Sequence, residues 1–132
     1  MLKCLILNKC LIFKGVDIKL ESNILVEKVA EILKGKKAEN IEIMDVANLT
    51  LLTDYFVICT GTSAIHIKAL ADELVLKLKE LSVIIDHLEG YESARWILMD
   101  YGNVIIHIFQ KEERNFYDLE RLWSDTMKIR NQ

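Results

Sequence analysis

Proline is absent from this chain of 132 residues, and glycine occurs only five times. The sequence therefore has no stretch with the composition of a flexible linker, and it shows neither an internal repeat nor a low-complexity segment. A chain of this length corresponds to about one domain, which buries most of the surface that its unfolded form exposes. We expect a single globular unit.

Cysteine is also scarce, and its three positions (Cys4, Cys10 and Cys59) form no Cys-x-x-Cys pair. An odd number without metal-ligand spacing argues against a disulfide framework and a zinc site, and it favours a reducing compartment. Cys59 falls in the most apolar stretch, where burial would raise the pKa of the thiol and make it inert. The three histidines lack the short helical spacing of metal ligands. We predict neither a metal nor a cofactor.

Excess positive charge and a membrane-spanning run are missing as well. The 17 basic residues are outnumbered by 20 acidic residues, which argues against attachment to nucleic acid by phosphate neutralisation. The apolar start is interrupted by Lys3, Asn8 and Lys9, is too short to cross a bilayer and lacks a convincing cleavage site. We predict a cytoplasmic protein with no membrane association and no direct sequence-specific binding of nucleic acid.

Hydrophobic periodicity predicts three helices and five strands in the order α-β-β-α-β-β-β-α. The helices are predicted at residues 22–34, 64–81 and about 114–129, and the strands at 41–46, 54–60, 83–88, 96–100 and 104–109. Residues 54–60 are apolar almost throughout, which is typical of a strand buried on both faces. The order predicts an α+β fold, a mixed and mostly five-stranded sheet with packed helices. Residues 1–20 are interpreted as an N-terminal extension of unknown role, before a single domain of residues 21–130.

The turn Gly61-Thr62-Ser63 joins an apolar strand to the strongest amphipathic helix. A glycine followed by hydroxyls at a helix start either caps the helix or holds a phosphate on free backbone N–H groups. Phosphate transfer with metal ions would also need closely spaced carboxylates. Asp72 and Glu73 come more than two helical turns after the turn and cannot supply them. The pattern therefore favours capping.

Two apolar runs flank the turn Asp100-Tyr101-Gly102-Asn103, which predicts a β-hairpin. Alternation along the first run places Trp96 and Leu98 on one face of the strand and Ile97 with Met99 on the other. If the helices cover Ile97 and Met99, a two-layer fold leaves Trp96 and Leu98 on an open face. That pair then has the composition of a protein-binding hot spot. The competing interpretation is that a helix covers this face too.

These segments form an ordered series that resembles the ribosomal silencing factor family, also called Iojap-like proteins. The series consists of Tyr55-Phe56-Val57-Ile58-Cys59-Thr60-Gly61-Thr62-Ser63, Glu89-Gly90, Trp96-Ile97-Leu98-Met99-Asp100-Tyr101-Gly102, Val104 to Phe109, and Arg114-Asn115-Phe116-Tyr117-Asp118-Leu119-Glu120-Arg121-Leu122-Trp123. The resemblance runs from about Ser22 to Lys128. Two positions depart from the family pattern: Asn103 stands where Asp is usual, and Ala94 where Gly is common.

The resemblance implies a fold like that of nucleotidyltransferases without their catalytic carboxylates, and a protein that is not an enzyme. It also implies binding to the large ribosomal subunit through its ribosomal protein fourteen. There the protein would block joining of the small subunit and repress translation when nutrients are limiting. The implied contact residues are Trp96, Leu98, Asp100, Tyr101 and Gly102, with support from Arg114 and Tyr117.

Two other functions stay open at this point. One is a nucleotidyltransferase-like enzyme that binds nucleotide with Gly61, Ser63 and a remote carboxylate such as Asp86 or Asp100. The other is a module that binds RNA directly, whose attachment would collapse at moderate salt. An exposed sheet face also allows a homodimer.

Overall fold

Helices and strands alternate along the chain much as the hydrophobic pattern predicts. The computed structural model describes residues 21–117 and 129–130. Within them the elements are α1 (Ser22–Gly35), β1 (Glu39–Asp45), β2 (Tyr55–Gly61), α2 (Ala64–Glu80), β3 (His87–Glu89), β4 (Trp96–Asp100), β5 (Val104–Gln110), α3 (Lys111–Tyr117) and β6 (Ile129–Arg130). The α+β class and the mixed sheet are confirmed.

The strands form one sheet in the order β3-β4-β5-β2-β1-β6. The pair β2 and β5 is parallel, and the other pairs are antiparallel. Since β2 lies in the middle of the sheet, the apolar character of its sequence is explained: six of its seven residues are buried, on both faces. Each of the five predicted strands is present, and β6 is an additional one.

The main hydrophobic core lies between one face of the sheet, here called the first face, and helices α1 and α2. Leu25, Val29 and Leu33 of α1 and Ile67, Leu70, Leu74 and Leu78 of α2 meet Val57, Cys59, Ile97, Met99, Ile106 and Ile108 of the sheet. A smaller buried cluster, Met44, Val46, Ile58 and Phe109, occupies the opposite or second face. None of the described helices combines the length and the apolar character needed to cross a membrane.

Two predicted elements differ from the structure. The third strand is only three residues long, because pairing with the short strand β4 begins at His87 and not at Val83. The last helix starts at Lys111, directly after β5, and Ile129 is not helical because it pairs with Met44 in the sheet. Helical spacing places Phe116, Leu119, Leu122 and Trp123 on the inward face of the predicted last helix, and all four lie outside the residues whose side chains the structure describes.

Candidate functional site

Strand β4 presents Trp96, Leu98 and Asp100 on the second face of the sheet. Their partners on β5 are Phe109, His107 and Ile105, respectively. All three side chains are partly buried, whereas Ile97 and Met99 on the first face are completely buried in the main core. The alternation read from the sequence is therefore confirmed for this strand.

Trp96 is held in a defined position by its neighbours on β5. The indole ring stacks on Phe109 with 4.9 Å between the ring centroids and 27° between the planes. Its Nε1–H donates a hydrogen bond to Nδ1 of His107, at 3.0 Å. The ring packs at the edge of the second-face cluster and keeps part of its surface exposed. Trp96 is thus neither a sealed core residue nor a freely rotating surface residue.

The prediction that a two-layer fold leaves the second face open is wrong at the centre of that face. Met44, Ile58 and Phe109 there are at most 1% exposed. The face carries apolar side chains from β1, β2 and β5, and these form a small core of their own. Partial exposure is found near the β3 edge of the sheet, on β4, where Trp96 and Leu98 lie.

The polar border of this edge comes from β3. His87 pairs with Asp100 and Glu89 pairs with Leu98, and because cross-strand partners share a face, both lie beside the β4 residues. Both are exposed. Asp86, His87 and Asp100 also bring ligand-type atoms within 4.8 Å of one another. We call Trp96, Leu98, Asp100, His87 and Glu89 the β4 surface.

The hairpin turn after β4 is built by Asp100 and Gly102. The carboxylate oxygen Oδ1 of Asp100 accepts a hydrogen bond from the Gly102 backbone N–H at 2.7 Å. Gly102 has a φ of +88°, a conformation that disfavours residues with a Cβ. Asp100 therefore shapes the turn as well as bordering the β4 surface.

The structure corrects the expectation that Tyr101 offers its ring to a partner. Its side chain belongs to the main core on the first face and is only 8% exposed. Burial raises the pKa of its hydroxyl to about 12, and among the described residues that hydroxyl has no hydrogen-bond partner. The physical reason is the alternation of the strand, which places Tyr101 on the same side as Ile97 and Met99.

Arg114 is also more than nine-tenths buried, so it acts within the fold. One guanidinium nitrogen, Nη1, donates to the backbone oxygen of Asn40 and to Oγ1 of Thr60, the latter at 2.8 Å. Thr60 is the strand partner of Phe109, which is in turn the partner of Trp96. Arg114 thus holds Thr60, the first of three cross-strand neighbours (Thr60, Phe109 and Trp96) that lead across the sheet to the indole. Tyr117 is the last residue of α3, and its side chain is outside the described part.

The turn before β4 explains one of the departures from the family pattern. Ala94 has a φ of +55° and donates its N–H to the carbonyl oxygen of Gly90 at 3.0 Å. Glycine adopts this conformation without strain, which accounts for its frequency there. Gly90, with a φ of +80°, has no space for a side chain because a Cβ would collide with the carbonyl oxygen of Trp96. This turn therefore packs directly against the backbone that carries the indole.

The other departure, Asn103, joins the hairpin to α1. Its side-chain Nδ2 donates to Oγ of Ser22 at 3.1 Å, and that hydroxyl donates to the carboxylate of Asp54. Its backbone oxygen accepts from the N–H groups of Asp54 and Tyr55. An uncharged amide is suited to this position because it supplies a donor next to a carboxylate.

The Gly61-Thr62-Ser63 turn caps α2, as predicted. Ser63 is the N-cap residue, and its Oγ accepts from the His66 backbone N–H at 3.1 Å. His66 Nδ1 accepts from the Thr62 N–H at 3.0 Å, while its Nε2 donates to the Lys36 oxygen at 2.8 Å. A Cβ on Gly61 would lie 2.6 Å from Cγ1 of Ile67, so close helix packing explains the glycine. Two N–H groups that a phosphate would need are engaged within the turn.

The carboxylates considered for a nucleotide site lie at the opposite end of the sheet from this turn. Gly61 pairs with Gln110, whereas Asp100 pairs with Ile105. Five residues of extended strand separate these positions, which corresponds to about 17 Å. Asp86 and Asp100 therefore do not join Gly61 and Ser63 in one site. Cys59 is fully buried and its pKa is raised to about 12 by burial, which confirms the predicted inert thiol.

Sequence reasoning missed two features of the structure. The alternation of His107 with Ile106 and Ile108 predicts an outer face for it, yet it is 5% exposed and forms the hydrogen bond that fixes Trp96. The loop between β1 and β2 exposes Leu51 completely and Leu52 almost completely. The available signals were the cross-strand position of His107 in the hairpin and the apolar Leu-Thr-Leu-Leu run between two strands.

Comparison with known proteins agrees with this arrangement. The sequence profile of the family described as "Ribosomal silencing factor during starvation" matches residues 19–132. The ribosomal silencing factor of Halalkalibacterium halodurans is 41% identical over 105 residues, which is 80% of this chain and 90% of that protein. A mouse protein named mitochondrial assembly of ribosomal large subunit protein 1 is 33% identical over 75% of this chain and 45% of its own length.

The fold is also found in a solved structure. A crystal structure of a Chromobacterium violaceum protein matches with a TM-score of 0.77 and 36% identity, over 80% of this chain and 88% of that one. Both the sequence and the three-dimensional arrangement therefore lead to the same assignment, and the chain belongs to the ribosomal silencing factor family.

Proposed function

We propose that this protein is a ribosomal silencing factor of the cytoplasm that acts by binding and not by catalysis. It binds the large ribosomal subunit through that subunit's ribosomal protein fourteen, blocks joining of the small subunit and represses translation when nutrients are limiting. The observation that carries the proposal is the partly exposed, immobilised Trp96 on the β4 surface of a chain from this family.

The β4 surface has the anatomy of a protein-binding site. Trp96 and Leu98 supply an apolar centre, and the exposed His87 and Glu89 supply a polar border. Interfaces commonly concentrate their binding energy in one or two large, rigid side chains that a polar rim shields from water. Because Phe109 and His107 already hold the indole, little side-chain entropy is lost when a partner covers it.

Blocking would be steric. A protein interface of standard size covers about 800 Å² on each partner, a small share of the surface of this domain. The remaining body of the protein would then stand between two subunits that must come into contact. The net charge of −3 suits such a factor, because it disfavours unspecific attachment to ribosomal RNA.

The proposal is tested by sedimentation of the purified protein with isolated large subunits, small subunits and assembled ribosomes. We expect association with large subunits alone and a failure of those subunits to join small ones. Binding to the small subunit with equal affinity would contradict the proposal.

Trp96→Ala tests the surface itself. Truncation of a buried interface tryptophan typically costs about 2 kcal/mol, or roughly 30-fold in affinity. Leu76→Ala is the matched control, because Leu76 is an exposed apolar residue of α2, which packs on the first face of the sheet. Equal affinity of a folded Trp96→Ala protein and of the control would remove the β4 surface from the proposal.

The enzyme alternative has no observation in its favour among the described residues. The N–H groups of Thr62 and His66 are occupied, and the candidate carboxylates lie at the other end of the sheet. Calorimetric titration with a nucleoside triphosphate and magnesium is the direct check, and we expect no heat of binding.

The proposal also includes a homodimer that forms through the β4 surface and competes with binding to the ribosome. Light scattering tests for it, because Trp96→Ala should then be monomeric under conditions in which the unmodified protein is a dimer.

A further inference from the structure

His107 occupies an unusual position for a histidine. It lies in the middle of β5, a strand with neighbours on both sides, and it is 5% exposed. Three aromatic rings from the described residues contact the imidazole: Phe56 at 5.1 Å in an edge-to-face contact, Trp96 at 5.9 Å and Phe109 at 6.1 Å between centroids. Within the described residues, its single hydrogen bond is the one from the indole of Trp96.

That hydrogen bond determines where the proton of the imidazole is. An indole Nε1–H is only a donor, so Nδ1 of His107 must be the acceptor. The neutral ring then carries its proton on Nε2. This Nε2–H is buried and has no partner in the described part of the chain.

For stability alone, a histidine is a poor choice at this position. It buries a ring that would otherwise bind a proton, and it leaves one N–H without an acceptor among the described residues, both of which disfavour the folded state. An apolar side chain of similar size would avoid both costs. What the imidazole adds is an acceptor directed at one atom, the indole nitrogen of Trp96.

We propose that His107 is a positioning residue for partner binding, because it fixes the indole of Trp96 in the orientation that docks. This inference rests on the proposed function of the β4 surface. His107 itself lies beneath that surface and does not touch the partner. Phe109 limits the indole to a plane by stacking, and the hydrogen bond to His107 selects one edge of the ring within that plane.

Two substitutions separate positioning from packing. His107→Asn places an amide oxygen near the position of Nδ1, so it keeps an acceptor for the indole but loses volume. His107→Leu keeps the volume but has no acceptor. A role in packing alone predicts that Leu is the better replacement for both stability and binding. Positioning predicts opposite orders: Leu is the more stable variant, and Asn is the better binder.

Three measurements are made on each full-length protein: urea unfolding, affinity for isolated large subunits, and the proton resonance of the Trp96 indole N–H. The resonance is identified as the one that disappears in Trp96→Ala. We expect His107→Leu to move this resonance upfield and to weaken binding about fivefold, the effect of one net hydrogen bond. His107→Asn should keep the resonance near its original position and recover most of the affinity.

The outcomes distinguish this inference from the function on which it rests. If Trp96→Ala leaves binding unchanged, the β4 surface itself is wrong. If Trp96→Ala weakens binding but His107→Leu binds as tightly as the unmodified protein, the surface stands and the positioning role of His107 is refuted. The positioning role is also refuted if affinity follows stability, with Asn below Leu in both.

Discussion

The buried imidazole of His107 makes the stability of this protein depend on pH in a way that can be calculated. Burial lowers the pKa of His107 from 6.5 to about 4. The unfolded chain therefore binds a proton below pH 6.5 that the folded protein does not bind until about pH 4. Stability from this group is complete above pH 6.5 and falls as the pH decreases through that window. The loss is about 2 kcal/mol at pH 5 and about 3 kcal/mol below pH 4.

The measurement is urea unfolding between pH 7.5 and 4.5 for the unmodified protein and for His107→Leu. Carboxylates also lose their charge in this range, but they are the same in both proteins, so the difference between the two curves isolates His107. We expect the advantage of the Leu variant to grow by about 2 kcal/mol between pH 7.5 and pH 5. Parallel curves would mean that the imidazole titrates normally in the folded state, and the reasoning from its burial would fail.

Gly90→Ala should destabilise the protein by about 3 kcal/mol, because the new Cβ meets the Trp96 carbonyl oxygen at a φ of +80°. Gly102→Ala, with a φ of +88° and open space, should lose only about 1 kcal/mol by the same urea assay; equal losses would contradict the clash. Ser63→Ala removes the cap of α2 and should cost about 1 kcal/mol, whereas Ser63→Asn, which keeps an oxygen acceptor for the His66 N–H, serves as its control and should retain most of the stability. Asn103→Asp should cost about 1 kcal/mol, more at low salt than at high salt, because it replaces a donor beside Asp54 by a second carboxylate.

Side chains along a strand point alternately to its two faces, and this repeat made part of the candidate site predictable from the sequence. Side chains alternate strictly along β4, so the opposite placement of Trp96 and Ile97 follows from the sequence alone. The same alternation, continued by one residue, places Tyr101 with Ile97 and Met99, where the structure has it. Tyr101 was expected at the surface because of the family resemblance, and the local pattern was the better guide.

Features that depend on pairing between distant segments could not be predicted. Strand β6 forms because Ile129 pairs with Met44, and neither segment carries a local sequence pattern that predicts this pairing. His107 is packed against two aromatic rings from other strands, Trp96 of the hairpin and Phe56 of the parallel strand β2. A histidine between two isoleucines is equally compatible with an exposed position, so burial had to come from the three-dimensional arrangement.

The location of Trp96 on a strand, and not on a loop, has a consequence for the kinetics of recognition. Backbone pairing with β5 extends along the whole of β4, and β3 secures its second half from the other side. A residue carried by such a framework does not need to search for its bound conformation, so complex formation should be limited by collision and alignment of the two bodies. Differences in lifetime between complexes of related factors would then originate in the side chains at the contact, while their rates of encounter remain similar.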